Sequence, residues 1–599
     1  MKAPGAGVTG IFRWKLHLAS GSVPKCDDPE DSGGKAMDQQ NRFTGAEAMV
    51  RMLEAHGVQH IFGLCGDTTL PFYDALYQLD HGMTHILTRD ERSAAYMADG
   101  YARVTGRPGV CEGPSGGGAT YILPGLVEAN ESSVPILAIT SDVGTRAKGH
   151  YPLTELDQEG VMRPLTKFNQ VIQHSDQVPD TVRTAFRKMT TGRPGAAHLG
   201  FPIDVQRGAA NADDIWADPA HARFPAYPFG PDPAAVDALL DALLSARSPL
   251  VICGGGVVLA GAEAVFQAVV ERLDIAVATT ISGQGSLPET HPNCLGVVGS
   301  NGGVPETRAI VEGADLVLFI GCRAGSVTTE LWRYPAKDTR ILHIDSDAEV
   351  IGASYKTEVG VVSDARLALM AMQHGLAGRE VNGFGGADWI ADAKAEKWRK
   401  FRALADSTAV PILPERTIAT LRRVLDDDAI VVGDPGTPCP YLSAYYELNT
   451  TGRTLFSNRA HGALGYALSA ATGAAVGAGG RKVVGLMGDG SFGFTCGELE
   501  TVVRLNLPVT FIVFSNAVYG WIKAGQKTKF GERYFSVDFD RTDHRAVAEA
   551  FGVTAFRADD PETLEATLRK AIDHPGPTLV DVISQPLQDA NAPVSEWIA

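Results

Sequence analysis

Short apolar runs alternate with amphipathic stretches along this chain from residue 44 onward. Ala46 to His56 carries apolar residues at helical spacing, and His60-Ile61-Phe62-Gly63 follows as a short strand leading into a Gly66-Asp67-Thr68 turn. Further strands are predicted at His85 to Thr88, Gly109 to Cys111 and Pro135 to Thr140, each followed by a helix-like or glycine-rich segment. The rhythm returns with a helix over Ala235 to Ala246 and strands at Pro249 to Cys253, Ala276 to Thr279, Leu316 to Ile320 and Ile341 to Ile344. It closes with apolar runs at Val483 to Met487 and Val509 to Phe514. Helix alternating with strand predicts sheets covered by helices, so the fold class is α/β, with three doubly wound, mainly parallel-sheet domains.

Breaks in the pattern divide the chain, which at 599 residues is too long for one core. Residues 1–38 are expected to form a disordered extension, with Met37 as a possible functional start, because basic Lys2, Arg13, Lys15 and Lys25 precede an acidic cluster at 27–31 without any apolar period. The first α/β domain spans 39–207, a Pro/Ala/Asp-rich linker 208–233, a central α/β domain 234–374, a second linker 375–409 and a third α/β domain 410–599.

Charge narrows the partners. A net charge of −17 without clustered Lys and Arg argues against nucleic acid, and no run approaches the roughly 18 apolar residues of a membrane span. Eight scattered cysteines with no Cys-x-x-Cys pair suit free thiols in a reducing compartment. A cytoplasmic protein acting on a small molecule is the expectation.

Candidate chemistry concentrates at Gly488-Asp489-Gly490-Ser491, just after the apolar run that ends at Met487. Asn516 ends the next apolar run, so Asp489 and Asn516 offer two hard oxygens of the kind Mg²⁺ takes, at the carboxyl ends of neighbouring strands. A tight strand-to-helix turn is the lesser, alternative reading of these glycines. Glu91 opens a helix rich in small residues, where an acid also interacts favourably with the helix dipole. Gly254-Gly255-Gly256 lacks the clean spacing of a dinucleotide fingerprint, leaving a glycine turn or a cofactor site open.

Several motifs occur together and in order: Glu91 with Ala94-Ala95-Tyr96-Met97-Ala98-Asp99-Gly100-Tyr101-Ala102-Arg103, Ser115 to Thr120, Arg163-Pro164, His461 to Gly465, and Asp489 with Asn516. In this the chain, from about residue 40 to its end, resembles the thiamine-diphosphate enzymes of the acetolactate synthase type. The resemblance implies a pyrimidine-binding domain, a central domain and a diphosphate-binding domain, with thiamine diphosphate and Mg²⁺ as cofactors. It casts Glu91 as the acid that hydrogen-bonds the aminopyrimidine and relays the proton of C2. Leu464 becomes the apolar wedge that bends the cofactor, although a plain core leucine fits the same position. Asp489, Asn516 and the Val518 carbonyl would hold the metal, with Gly436, Thr437, Gly488, Gly490, Ser491 and Gly520 contacting the cofactor. At least a homodimer, or a homotetramer, with sites shared between subunits is implied.

Departures from the family pattern fall on the substrate side. Asp90 stands where a His is usual, Tyr121 where an Asn is usual, and Leu153-Thr154 replace a Phe-Gln pair. Asp67, Ser115, Tyr121 and Thr154 are the substrate-side candidates. Ser515 replaces the first Asn of an Asn-Asn pair, and Arg323-Ala324-Gly325-Ser326-Val327 keeps one of two arginines of the flavin segment, leaving FAD, ADP or no ligand open for the central domain. The activity implied is decarboxylation of a 2-oxo acid followed by carboligation. Alternatives are a lyase for 2-hydroxyacyl-coenzyme A or 2-hydroxyketones, a simple 2-oxo acid or oxalyl-coenzyme A type decarboxylase, and a non-catalytic paralogue.

Overall fold

A computed structural model describes residues 42–595. The extension expected to be disordered, 1–38, and Met37 lie outside the described residues.

Three parallel sheets of six strands form the frame. The first lies in the order Thr84–Leu87, His60–Gly63, Gly109–Gly113, Ile136–Asp142, Ala197–Pro202, Phe168–Val171. The third lies in the order Leu455–Ser457, Ile430–Gly433, Val483–Gly488, Val509–Ser515, Thr578–Ile583, Thr554–Ala558. Counted within its own domain, each runs second, first, third, fourth, sixth, fifth, so these two domains share one topology. The central sheet runs third, second, first, fourth, fifth, sixth, the doubly wound order associated with dinucleotide binding. In each sheet the order reverses beside the first strand, and the crevice opened there by diverging loops is where such folds bind ligands.

The strands are buried on both faces, which explains their near-continuous apolar runs. Leu316–Ile320 and Pro249–Cys253 pair in register and carry a core of Val, Leu and Ile side chains from both faces.

Two segments expected as linkers carry ordered elements. Within 208–233, Ala209–Asn211 pairs antiparallel with Arg42–Thr44. Within 375–409, Gly386–Ala405 is a 20-residue helix. Its buried residues Ile390, Lys397, Phe401 and Ala405 follow helical spacing on one narrow stripe, too sparse among the charged positions to stand out in the sequence. Lys394 ties this helix down by donating to the carbonyls of Glu289 and His291, each at 2.8 Å.

The helices Glu91–Thr105 and Tyr466–Gly477 join the first and third domains backbone to backbone. A Cβ on Gly100 would stand 2.2 Å from the Ala470 carbonyl oxygen, and one on Gly473 would stand 2.0 Å from that of Met97. Glycine is required at both positions by this contact. No helix among the described residues is long and apolar enough to cross a membrane.

Candidate active site

In the third domain the loops after the first and third strands meet at the crevice. The loop after Ile430–Gly433 begins with Asp434, and Val483–Gly488 runs straight into the helix that opens with Asp489. Asp489 is buried, and its Oδ2 accepts the backbone N–H groups of Asn516 at 2.8 Å and Ala517 at 2.6 Å. Its Oδ1 accepts the N–H of Gly490 at 2.9 Å. These bonds fold the Asn516–Val518 loop against the helix start, with Ala517 in the left-handed region at φ +58°, a costly conformation for a non-glycine residue that the surroundings must enforce. Burial pushes the Asp489 carboxyl up, opposed by the three N–H donors.

The side chain of Asn516 is turned inward, and its Oδ1 is buried with no hydrogen-bond partner. An orphaned acceptor beside a carboxylate fits a cation. Among the described residues no group of three or more His, Cys, Asp or Glu could hold a metal on its own. A Mg²⁺ here would therefore take Asp489, Asn516 and the backbone at Val518 as its protein share and fill its octahedron from phosphate oxygens and water. Gly488 and Gly436, the latter at φ +98°, face open space where a Cβ meets no atom within 4 Å, which leaves room for a diphosphate against the backbone. Thr437, Gly490, Ser491 and Gly520 sit around this point. Gly490 is packed under the Tyr519 ring, 2.7 Å from where its Cβ would be, and Gly520 under Leu587.

Asp434, absent from the candidates drawn from sequence, organises this cluster. It is fully buried and accepts from Ser491 Oγ at 2.7 Å, from the N–H of Ala467 at 2.7 Å and from that of Gly465 at 3.3 Å. Burial pushes its pKa up to about 7. Its signal lay in plain view, since Ile430-Val431-Val432-Gly433-Asp434 repeats the strand-then-acid pattern of Val483 to Asp489.

Leu464 is half-buried between Gly462 and Gly465. Its loop is held from below by Asn458, which donates to the Ala463 carbonyl at 2.6 Å, and from the first domain by Glu128. Glu128 Oε2 accepts the N–H groups of Ala460 and His461 at 3.2 and 2.8 Å, a second positioning residue the sequence did not reveal.

In the first domain, Asp90 caps the helix Glu91–Thr105 by accepting the Arg92 N–H at 2.8 Å. The residue that replaces the family's usual His thus has a local structural role. Glu91 is only 6% exposed, enclosed where Gly113 and Gly118 approach it: a Cβ on Gly118 would stand 2.9 Å from its Oε1. Desolvation raises its pKa, helped by the neighbouring Asp90 and Glu112 and opposed by a backbone hydrogen bond. Enclosure of this kind favours the protonated form of an acid, which suits hydrogen bonding to a ring nitrogen.

Two of the four substrate-side candidates are brought together, Ser115 and Thr154 bonding through their hydroxyls at 2.7 Å. Asp67 is exposed in the short helical turn Asp67–Thr69, beside Thr68, which also reaches Ser115. Tyr121 ends the helix Gly117–Tyr121 and is 60% exposed. Among the described residues, no hydrogen bond joins Glu91 to Asp489 or Asn516 within the chain. The start of the Glu91 helix instead meets the far side of the Asp489 helix, where Arg92 donates to the Phe494 carbonyl at 2.9 Å and the Arg89 N–H to Glu498 at 2.8 Å.

At the central sheet's crevice lies a cavity of about 330 Å³. Its lining includes Gly254 to Gly256, Gly321 and Asp345, with Arg193, Arg323 and Arg459 contributed one from each of the three domains. Arg323 closes one side by donating to the Glu131 carboxylate at 3.0 Å and to the Glu131 carbonyl at 2.7 Å.

Two duplicated crevices, one bearing an enclosed acid and the other a metal-ready pair of oxygens, define a class, and comparison with known proteins agrees with it. The family described as "Thiamine pyrophosphate enzyme" matches in three parts: its N-terminal TPP binding domain over residues 43–161, its central domain over 236–372 and its C-terminal TPP binding domain over 434–582. The chain belongs to this family of thiamine-diphosphate enzymes, within the branch of the acetolactate synthase large subunits. It is 34% identical to the probable acetolactate synthase large subunit of Methanococcus aeolicus, over 91% of this chain and 92% of that protein. Identity to the acetolactate synthase large subunit of Lactococcus lactis subsp. lactis is 31%, over 92% and 94%. For the acetolactate synthase isozyme 3 large subunit of Escherichia coli it is 30%, over 89% and 92%. Thiamine diphosphate with Mg²⁺ is accordingly the cofactor of this protein, and the residues at Asp489 and Asn516 fit it.

Proposed function

We propose that this enzyme takes a 2-oxo acid, releases its carboxyl group as CO₂ and joins the remaining acyl unit to the carbonyl of a second molecule, as the names of its acetolactate synthase relatives indicate for them. Bound thiamine diphosphate supplies the electron sink for this chemistry. The observation that carries the reading is the division of labour between the two crevices: Glu91 lies in an enclosed pocket that disfavours its charged form, while Asp489 and Asn516 offer oxygens to a cation that binds diphosphate. Glu91 acts at the pyrimidine ring, Leu464 sets the cofactor's shape, and Gly436, Thr437, Gly488, Gly490, Ser491 and Gly520 line the diphosphate.

Sharing of each site between two subunits accounts for the separation of Glu91 from Asp489 within one chain. Leu153 at 90%, Phe535 at 83% and Tyr121 at 60% exposure give the surfaces around these residues the apolar content of an interface. A homodimer, alone or paired into a tetramer, is the assembly this supports. For the central cavity, the three arginines and Asp345 support an adenine nucleotide, FAD or ADP, bound through its diphosphate.

The test is product analysis. The purified protein, given pyruvate, Mg²⁺ and thiamine diphosphate, should yield CO₂ and a branched 2-hydroxy-3-oxo acid. CO₂ with free aldehyde would instead mark a simple decarboxylase, and cleavage of 2-hydroxyacyl-coenzyme A without any turnover of 2-oxo acids would mark a lyase.

A further inference from the structure

His544 touches the carriers of both side-chain metal ligands. It is buried and opens the helix His544–Ala550 of the third domain. Its ring meets that of Phe492 edge-on, with the centroids 5.3 Å apart. Phe492 lies in the helix Asp489–Thr495, which begins with the first ligand. The same imidazole reaches the second carrier, its Nδ1 lying 3.0 Å from Ser515 Oγ. Ser515 is fully buried, ends the strand Val509–Ser515 and directly precedes Asn516. It also stands where the family pattern has an Asn, so the residue that meets His544 is a departure of this chain.

A closed circuit of ion pairs fixes the imidazole. Asp581, fully buried in the neighbouring strand Thr578–Ile583, presents Oδ1 3.5 Å from His544 Nδ1. An ionised carboxylate only accepts, so Nδ1 carries a hydrogen, and that hydrogen also faces Ser515 Oγ. Asp581 Oδ2 accepts from Arg557, Nε at 3.3 Å and Nη2 at 3.0 Å. Arg557 Nη2 pairs in turn with Asp543 Oδ1 at 2.6 Å. Asp543 is the residue before His544 and caps its helix by accepting the Ala546 N–H at 3.0 Å. The circuit from Asp543 through Arg557 and Asp581 to His544 therefore closes along the backbone and leaves the ring one orientation.

The metal site needs such a brace. Its two side-chain ligands come from different elements, one from a helix start and one from a strand end, so their separation depends on how those elements are held together. The Asn516 side chain has little hold of its own, with Oδ1 unpartnered and Nδ2 making one long bond to Thr437 Oγ1 at 3.5 Å.

We infer that His544 is a positioning residue for the metal, setting the separation of Asp489 and Asn516 through Phe492 and Ser515, and with it the affinity for Mg²⁺ and the diphosphate it carries. The inference rests on the metal site described above and not on the identity of the substrate. His544 acts through these neighbours rather than as a ligand.

The experiment titrates the full-length protein with Mg²⁺ in the presence of thiamine diphosphate, following binding by calorimetry, and records the melting temperature of the cofactor-free protein alongside. His544→Phe keeps the ring against Phe492 and removes the nitrogens. His544→Asn returns a side-chain N–H near the place of Nδ1, and Ser515→Ala removes the hydroxyl from the other end of the contact. His544→Phe and Ser515→Ala should each weaken Mg²⁺ binding about tenfold, the lower end of what outer partners of a metal site contribute. Half-saturation of CO₂ release by Mg²⁺ should rise by a similar factor, with kcat at saturating Mg²⁺ changed less than about twofold, the mark of lost binding rather than lost chemistry. The double variant should bind no more weakly than either single one, because both delete the same contact. His544→Asn should recover most of the affinity. Native Mg²⁺ affinity in His544→Phe and Ser515→Ala, whatever their melting temperatures, would overturn the inference, as would additive losses in the double variant or an equal loss in His544→Asn. Ser515→Ala deletes a single oxygen and keeps the test open where His544→Phe fails to fold. Native affinity in Asn516→Ala would instead overturn the metal site itself, and this inference with it.

Discussion

Tyr466 donates its phenol hydrogen to Asp99 at 2.5 Å, across the junction of the two helices that carry the two halves of the site. Arg103 reaches the same Asp99 carboxylate at 2.8 Å and, with its other arm, Glu128 at 3.3 Å. Glu128 in turn holds the loop bearing Leu464. A line of hydrogen bonds thus runs from the helix that opens with Glu91 to the loop that bears Leu464.

The tightness of this junction is testable at Gly473. Alanine favours helix by about 1 kcal/mol over glycine, yet here its Cβ would enter the Met97 carbonyl. Gly473→Ala should therefore destabilise the protein, by about 1–3 kcal/mol, seen as a lower melting temperature. A rise in melting temperature would mean that the two helices are not in backbone contact.

Metal binding is tested at Asn516. Asn516→Ala removes an oxygen that has no partner within the protein and one long hydrogen bond from Nδ2 to Thr437 Oγ1 at 3.5 Å, so the apo protein should melt close to its native temperature. Cofactor binding measured by calorimetry should lose its dependence on Mg²⁺, with affinity falling about 10- to 100-fold. Unchanged affinity would remove Asn516 from the metal site.

Asp434 carries a pH prediction. Its folded pKa, raised to about 7 from an ordinary value near 3.8, means that the folded state binds more protons than the unfolded state between those values. Stability from this group is greatest at low pH and falls as pH rises through roughly 4 to 7. Glu415 and Glu498, also pushed up to about 7 by burial, contribute with the same sign. Asp434→Asn should flatten the decline in melting temperature over this window relative to the native protein. An identical slope in the two proteins would contradict the buried state of Asp434.

Much of the frame and part of the site were legible in the sequence. Pro249 to Cys253, Ala276 to Thr279 and Leu316 to Ile320 are strands with the bounds their apolar runs suggest. Asp489 and Asn516 stand at the ends of adjacent parallel strands, with Gly488 paired to Phe514. The elements that escaped are those whose partners are distant in sequence. Gly386–Ala405 hides a narrow apolar stripe among charges, Ala209–Asn211 depends on Arg42–Thr44, and the roles of Asp434 and Glu128 arise from backbone N–H groups 31 or more residues away. Nor could Ser115 and Thr154 be paired from their positions in the chain, because two helices and the strand Ile136–Asp142 lie between them.

Glu91 bears the central claim, and CO₂ release tests it most directly. With Mg²⁺ and thiamine diphosphate present, the native protein should release CO₂ from pyruvate. Glu91→Gln, with cofactor binding retained, should do so at least about a hundredfold more slowly, the scale of a lost proton relay. Equal rates in the two proteins would contradict the account.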